Sequence, residues 1–127
     1  MSWRWIRLHE AEAMHAQQIA EYGGLAGTRD AGLFESAMAR PENLAAYGDP
    51  DVCNLAAAYA FGLARNHPFA DGNKRTAFVV SVVFMLLNGR DLTATEVEVV
   101  ETFLKLAAGE MAESETANWF RQNSKER

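Results

Sequence analysis

The stretch VCNLAAAYAFGLARNHPFADGNKRTAFVVSVVFMLLNG, residues 52–89, is two almost wholly apolar runs parted by a short polar turn. Between residues 67 and 75 that turn collects a histidine, a carboxylate, an amide, a lysine and an arginine, more charge than a plain reversal between buried segments requires. Asp49-Pro50-Asp51 opens the first run as a helix, because proline suits a first helical turn and acids suit the positive end of the helix dipole. Asn88-Gly89 closes the second run. The pairs Val79-Val80 and Val82-Val83 favour a strand by propensity. The run is too long for one, however, and polar and apolar positions do not alternate, so it reads as helix. A helix apolar on every face belongs at the centre of its domain. The expected architecture is an all-α bundle whose two buried central helices are joined by the charged turn.

Outward from that pair the pattern stays helical. A first helix is expected over 10–22, stopped by Gly23-Gly24. GGLAGTRDAG (23–32) follows as a glycine-punctuated loop. A second helix starts near Asp30, with Leu33, Phe34, Ala37 and Met38 on one face; Pro41 is expected to break it, leaving a further turn over 41–47. Thr95 and Glu98 have the spacing of a capping box for a helix over 95–107. A last helix is expected over 113–122, and the tail RQNSKER (121–127) is expected to fray. The total is about six helices. No repeat, low-complexity tract or linker interrupts them, so residues 1–127 read as a single domain.

Composition narrows the classes of function. About half the residues are apolar (49%), which fits a folded globule rather than a disordered chain. A formal net charge of −5 argues against a general nucleic-acid binder, whose surface must neutralise phosphates, while leaving room for a local positive pocket. Cys53 is the single cysteine, so an internal disulfide and a cysteine-rich zinc site are excluded and a reducing cytoplasm is expected. MSWRWIRLHEAEAMH (1–15) puts charges where a secretory signal has its apolar core. The longest apolar-rich run, 76–87, falls short of the ~20 residues a membrane span needs.

The second central helix is expected to begin between Gly72 and Lys74, and a helix start offers unpaired N–H groups and positive potential to a phosphate. Gly72 permits close approach or a positive φ, Asn73 adds an amide donor, and Lys74 and Arg75 add two cations, the arginine with a bidentate fork. Asp71 repels phosphate unless a magnesium ion lies between them; as an isolated residue it is more often a helix N-cap than a metal ligand. His67 offers an imidazole that can take a proton from an attacking hydroxyl, which suits a general base. Lys74 and Arg75 are readable as solvated surface charges too, although the positive end of a helix is the less favourable place for cations. Pro68 would stiffen the turn and Phe69 anchor it. Other residues have plainer readings. His15 is expected to be a structural histidine of the first helix, and Arg29-Asp30 an ion pair or a cap. Trp3 and Trp5 alternate with Arg4 as in a short strand, and are expected to pack onto the core.

The run HPFADGNKR resembles the signature of the Fic/Doc family, His-x-Phe-x-Asp/Glu-Gly/Ala-Asn-Gly/Lys-Arg, which joins two central helices of an all-α fold. YGGLAGTRDAGLFESAMARPE (22–42) and LLNGRDL (86–92) are similar to the Doc (death-on-curing) branch, so the resemblance spans nearly the whole chain. It implies a catalytic set of His67, Asp71, Lys74 and Arg75. In that set His67 activates a target hydroxyl and Asp71 serves magnesium. Gly72, Asn73 and Lys74 form the anion hole, Arg75 holds phosphate, and Pro68 and Phe69 support the loop. Adenylylating members carry Gly after the Asn and a second Arg three residues beyond the first; here Lys74 and Phe78 stand there. The Doc pattern implies a kinase that moves the γ-phosphate of Mg·ATP to a Ser/Thr hydroxyl on a translation factor of the elongation factor Tu class, as the toxin of a toxin–antitoxin pair. Pro68 and Gly72 are closer to the Fic form, which keeps AMP transfer as an alternative, and a non-catalytic binding or repressor-partner module is a third reading. No glutamate has Ser or Thr four residues before it, so the self-inhibitory pattern of many Fic enzymes is absent. Restraint is expected from a Phd-like antitoxin over the groove beside the active site. The loop 22–32 lies near that groove by resemblance, and by its residues alone is a flexible loop.

Overall fold

The computed structural model describes residues 2–127. Six helices, α1 (Leu8–Tyr22), α2 (Ala31–Tyr47), α3 (Val52–Asn66), α4 (Asn73–Leu87), α5 (Glu96–Ala107) and α6 (Glu113–Gln122), are joined by two short strands, β1 (Arg90–Leu92) and β2 (Ser124–Glu126). The all-α expectation holds. α3 is the central element: residues 55–60 and 62–64 are buried, and it packs against α2, α4 and α6. Its alanines let neighbours approach closely. A Cβ on Gly62 would lie 3.1 Å from Ala37 Cα of α2 and 2.9 Å from Arg40 Cδ. α4 lies beside α3, with Ala77, Val80 and Phe84 fully buried. No helix among the described residues is long and apolar enough to cross a membrane.

Caps set most helix starts. Thr95 Oγ1 accepts from Glu98 N–H at 3.2 Å and Glu98 Oε1 from Thr95 N–H at 2.9 Å, the expected capping box of α5. Asp51 and Asn54 do the same for α3.

Three local expectations are corrected. Pro41 does not break α2, which runs through it to Tyr47. Proline costs a helix interior ~3 kcal/mol, but Pro41 is fully buried and its helix lies against α3, so packing outweighs the lost hydrogen bond. The tail does not fray, because Ser124–Glu126 pairs antiparallel with Arg90–Leu92. Arg90 Nε donates to Ser124 Oγ at 2.7 Å, and Arg127 N–H donates to Gly89 O at 3.0 Å. Trp3 and Trp5 are in no strand. The polar groups a neighbouring strand would satisfy are taken by side chains: the Asn88 amide bonds both N–H and C=O of Arg4, and the Tyr59 hydroxyl does the same for Ile6. The tryptophan rings pack on Phe84 as expected, Trp5 at 5.8 Å between centroids and Trp3 at 6.2 Å.

Candidate active site

The junction of α3 and α4 is built by side chains from three other parts of the chain. α3 ends at Asn66, and His67 turns the chain in the left-handed conformation (φ 48°, ψ 56°), the one described non-glycine residue with positive φ. The freed carbonyls are capped by Arg29. Its Nε and Nη2 donate to His67 O at 2.9 and 2.6 Å, and Nη2 also donates to Asn66 O at 3.1 Å. A cation at a helix C-terminus complements the dipole. Asp30 caps α2 by accepting from Leu33 N–H at 3.0 Å. Both residues of the Arg29-Asp30 pair therefore cap helices, and they form no ion pair with each other.

The glycine-rich loop is tied to the turn by its backbone. Arg29 and Asp30 N–H groups both donate to Pro68 O (2.7 and 3.0 Å), and Ala70 N–H donates to Gly27 O at 3.2 Å. Leu25 N–H donates to Asp71 Oδ2 at 3.2 Å. Gly24 permits this closeness, because a Cβ there would sit 3.1 Å from the same carboxylate oxygen.

Inside the turn, Pro68 and Phe69 are buried. Phe69 lies between the imidazole of His15, stacked at 3.8 Å and 7°, and Phe34, tilted at 4.8 Å. The amide of Asn73 is bonded to Phe69 at both ends: Oδ1 accepts from Phe69 N–H at 3.0 Å and Nδ2 donates to Phe69 O at 3.1 Å. Its work here is closing the loop, with one Nδ2 hydrogen left over. Asp71 is not the cap of α4. That position is Gly72, at φ 75°, and no side chain caps the helix.

The start of α4 thus presents the N–H groups of Asn73, Lys74 and Arg75 without an intrahelical acceptor. Lys74 is exposed and makes no ion pair among the described residues. Arg75 is steered by α1: Nη2 donates to Gly23 O at 3.1 Å, and the guanidinium lies 5.3 Å from the centre of the Tyr22 ring. Its buried Nε has no partner among the described residues. Two cations and three open N–H groups at the positive end of a helix are complementary to a phosphate. A cleft of about 570 Å³ opens beside them between α1, α4 and α5, floored by Phe78, Val99, Phe103 and Leu104.

No group of three His, Cys, Asp or Glu side chains that could hold a metal occurs among the described residues. Asp71 is exposed, and one of its two oxygens is engaged by Leu25. A single carboxylate with a free oxygen fits magnesium that arrives with a nucleotide, since such magnesium is held by one or two carboxylates plus phosphates. Cys53 offers no nucleophile, because burial pushes its thiol above the ordinary range.

His67, Asp71, Gly72, Asn73, Lys74 and Arg75 were singled out from the sequence, and the structure gathers them at one junction. Of the partners that shape it, Gly24 was read only as part of a helix stop, while His15 was expected as a structural histidine and Arg29 as an ion pair or a cap, neither of them expected in contact with the turn. His15 had a signal: it shares the face of Ala11 and Ile19 at four-residue spacing, so a buried histidine was readable, but its contact with the turn was not.

The chain belongs to the Fic/DOC family, whose family model matches residues 5–85. Two curated relatives fall within its Doc branch. Over 120 residues, 94% of each chain, it is 33% identical to a protein named Protein kinase doc from Escherichia phage P1. Over 90 residues, 68% of each chain, it is 41% identical to Toxin Doc of Mycolicibacterium smegmatis.

Proposed function

We propose that this protein is a Doc-like toxin of a toxin–antitoxin pair, a cytoplasmic enzyme that transfers the γ-phosphoryl group of Mg·ATP to a Ser or Thr hydroxyl of a translation factor of the elongation factor Tu class. The observation that carries the reading is the uncapped start of α4, where open N–H groups, Lys74 and Arg75 stand beside a carboxylate with a free oxygen. The relative named a protein kinase supports phosphoryl transfer, and the relative named a toxin supports the biological role.

In this mechanism His67 takes the proton of the target hydroxyl as its oxygen bonds to the γ-phosphorus. The bond from that phosphorus to the β–γ bridging oxygen breaks, and ADP leaves. The N–H groups of α4, with Lys74 and Arg75, hold the phosphate oxygens in place and stabilise their charge. Asp71 would hold the magnesium ion, which neutralises charge on the leaving phosphates. Phe78, three residues beyond Arg75, packs edge-on against Phe103 at 5.6 Å. No second arginine stands there to place a nucleotide for AMP transfer, which favours the γ-phosphate.

The cleft beside Lys74 and Arg75 is the proposed seat of a Phd-like antitoxin. Its apolar floor and basic end suit an amphipathic segment that folds on binding. Production of the chain alone in bacteria is expected to arrest growth, and His67→Ala and Asp71→Asn variants made to the same level are expected not to. Normal growth with the soluble parent protein would overturn the toxin reading.

A further inference from the structure

We propose that His15 is a positioning residue for the proposed phosphoryl transfer, fixing the Asp71-Gly72 backbone from α1. His15 is 3% exposed, in a helix whose neighbouring positions are largely solvated. Its Nε2 lies 2.8 Å from Asp71 O, and because a carbonyl only accepts, Nε2 carries the proton and donates. The same ring is stacked on Phe69 at 3.8 Å and 7°. One flat side chain therefore grips the turn twice, once on either side of Ala70.

The two grips bear on the groups the site uses. The Asp71 carbonyl belongs to the residue whose carboxylate is offered to magnesium, and it immediately precedes the Gly72 cap of α4. Holding it fixes the carboxylate in relation to the open N–H groups of the helix. α1 closes on Gly72 as well: a Cβ there would meet Ile19 Cδ1 at 3.1 Å and His15 Cδ2 at 3.8 Å. The carboxylate end of Asp71 is held separately by Leu25 N–H. With His15 gone, the side chain keeps one tether while its backbone loses its own.

The chemistry of position 15 is narrow. Phenylalanine keeps a flat ring against Phe69 but has no donor. Glutamine places an amide N–H near the site of Nε2 but gives up most of the stacking. The pair separates anchoring from packing.

The experiment compares the parent protein with His15→Phe and His15→Gln. It uses thermal unfolding, steady-state transfer from γ-labelled Mg·ATP to protein in a bacterial lysate, and amide hydrogen exchange at Phe69 and Ala70. For His15→Phe, unfolding close to that of the parent is expected. Its kcat should fall about 10- to 100-fold, as displacement of a positioned group does, with a smaller change in the KM for Mg·ATP. Exchange at Ala70 should be faster, with α3 unchanged. His15→Gln should recover most of the lost kcat. Parental kcat in a folded His15→Phe protein, or a His15→Gln protein no better than His15→Phe, would overturn the proposal. If His15→Phe does not fold, His15→Gln decides alone, near-parental kcat supporting the anchor and a large loss overturning it. If the parent transfers no label, the phosphoryl-transfer reading fails, and exchange still tests the anchor: faster exchange at Phe69 and Ala70 in His15→Phe upholds it, and unchanged exchange refutes it.

Discussion

Gly24 and Gly27 lie three residues apart in the loop that leans on the turn, both with positive φ, +116° and +101°. Alanine at either pays for an unfavourable backbone conformation, about 1–2 kcal/mol. Gly27 meets the turn through its carbonyl, but only at Gly24 would an added side chain press on the candidate site. A Cβ on Gly24 would lie 3.1 Å from Asp71 Oδ2 and 3.2 Å from its Cβ and Cγ, whereas a Cβ on Gly27 has nothing within 4 Å. The contact on Asp71 Cβ cannot be relieved by rotating the carboxylate alone, so Gly24→Ala must displace the whole residue and strain the Leu25 bond. Stability should fall comparably in the two variants, with Gly24→Ala lower by at most about 1 kcal/mol for the weakened hydrogen bond. Activity should separate them. Transfer from Mg·ATP is expected to drop about 10- to 100-fold in Gly24→Ala, as misplacement of a site group by a fraction of an ångström to an ångström does, and to stay within about threefold in Gly27→Ala, a barrier change under about 0.7 kcal/mol. Urea denaturation and initial rates on both proteins decide it. Equal rates in the two variants would refute the placement of Asp71 in the site.

Arg29→Ala removes three hydrogen bonds from a cation to the carbonyls at the end of α3. Because those carbonyls can rehydrate, the loss should be about 1–2 kcal/mol, read as a fall in Tm, with His67 function impaired alongside. Asp71→Asn retains an oxygen for Leu25 N–H and should change stability by less than about 0.5 kcal/mol, yet abolish transfer; unfolding would contradict a role confined to the site. Burial pushes the Asp51 carboxyl up, but the Arg121 guanidinium and the N–H groups of Asn54 and Cys53 outweigh it and hold it below its ordinary value of 3.8. Asp51 therefore binds its proton less readily when folded. Its stabilisation is complete above that unfolded value and is lost as pH falls through the lower folded one. Removal of the ion pair by Asp51→Asn should cost about 0.5 kcal/mol at neutral pH, because the pair is half exposed, and nothing at low pH. Denaturation midpoints at the two pH values measure it.

The central pair of helices and the charged turn were legible in the sequence because they rest on local signals: an apolar run bounded by Asp-Pro-Asp at one end and Asn-Gly at the other. So was the capping box at Thr95. Pro41 was misread because propensity is local while its burial in the packed core is not. The tail was misread because SKER carries no strand signal of its own; pairing with Arg90–Leu92 comes from Arg90 and Arg127, far apart in sequence. Within the site, the sequence marked the residues of the turn, and read His15 as structural and Arg29 as an ion pair or a cap, but not that they hold the turn. Arg29, Gly24 and His15 act across 38, 47 and 56 positions of chain on His67 and Asp71, and no spacing rule reaches that far.

The most direct test of the account is the origin of the label. Purified protein with Mg²⁺ and a bacterial lysate is given ATP labelled at either the γ- or the α-phosphate, beside a His67→Ala control. Label from the γ-position alone, on protein and absent in the control, is the expected result. Label from the α-position would mean that this site transfers AMP and that Lys74 and Phe78 had been misread, and no label from either would contradict an enzymatic site at the start of α4.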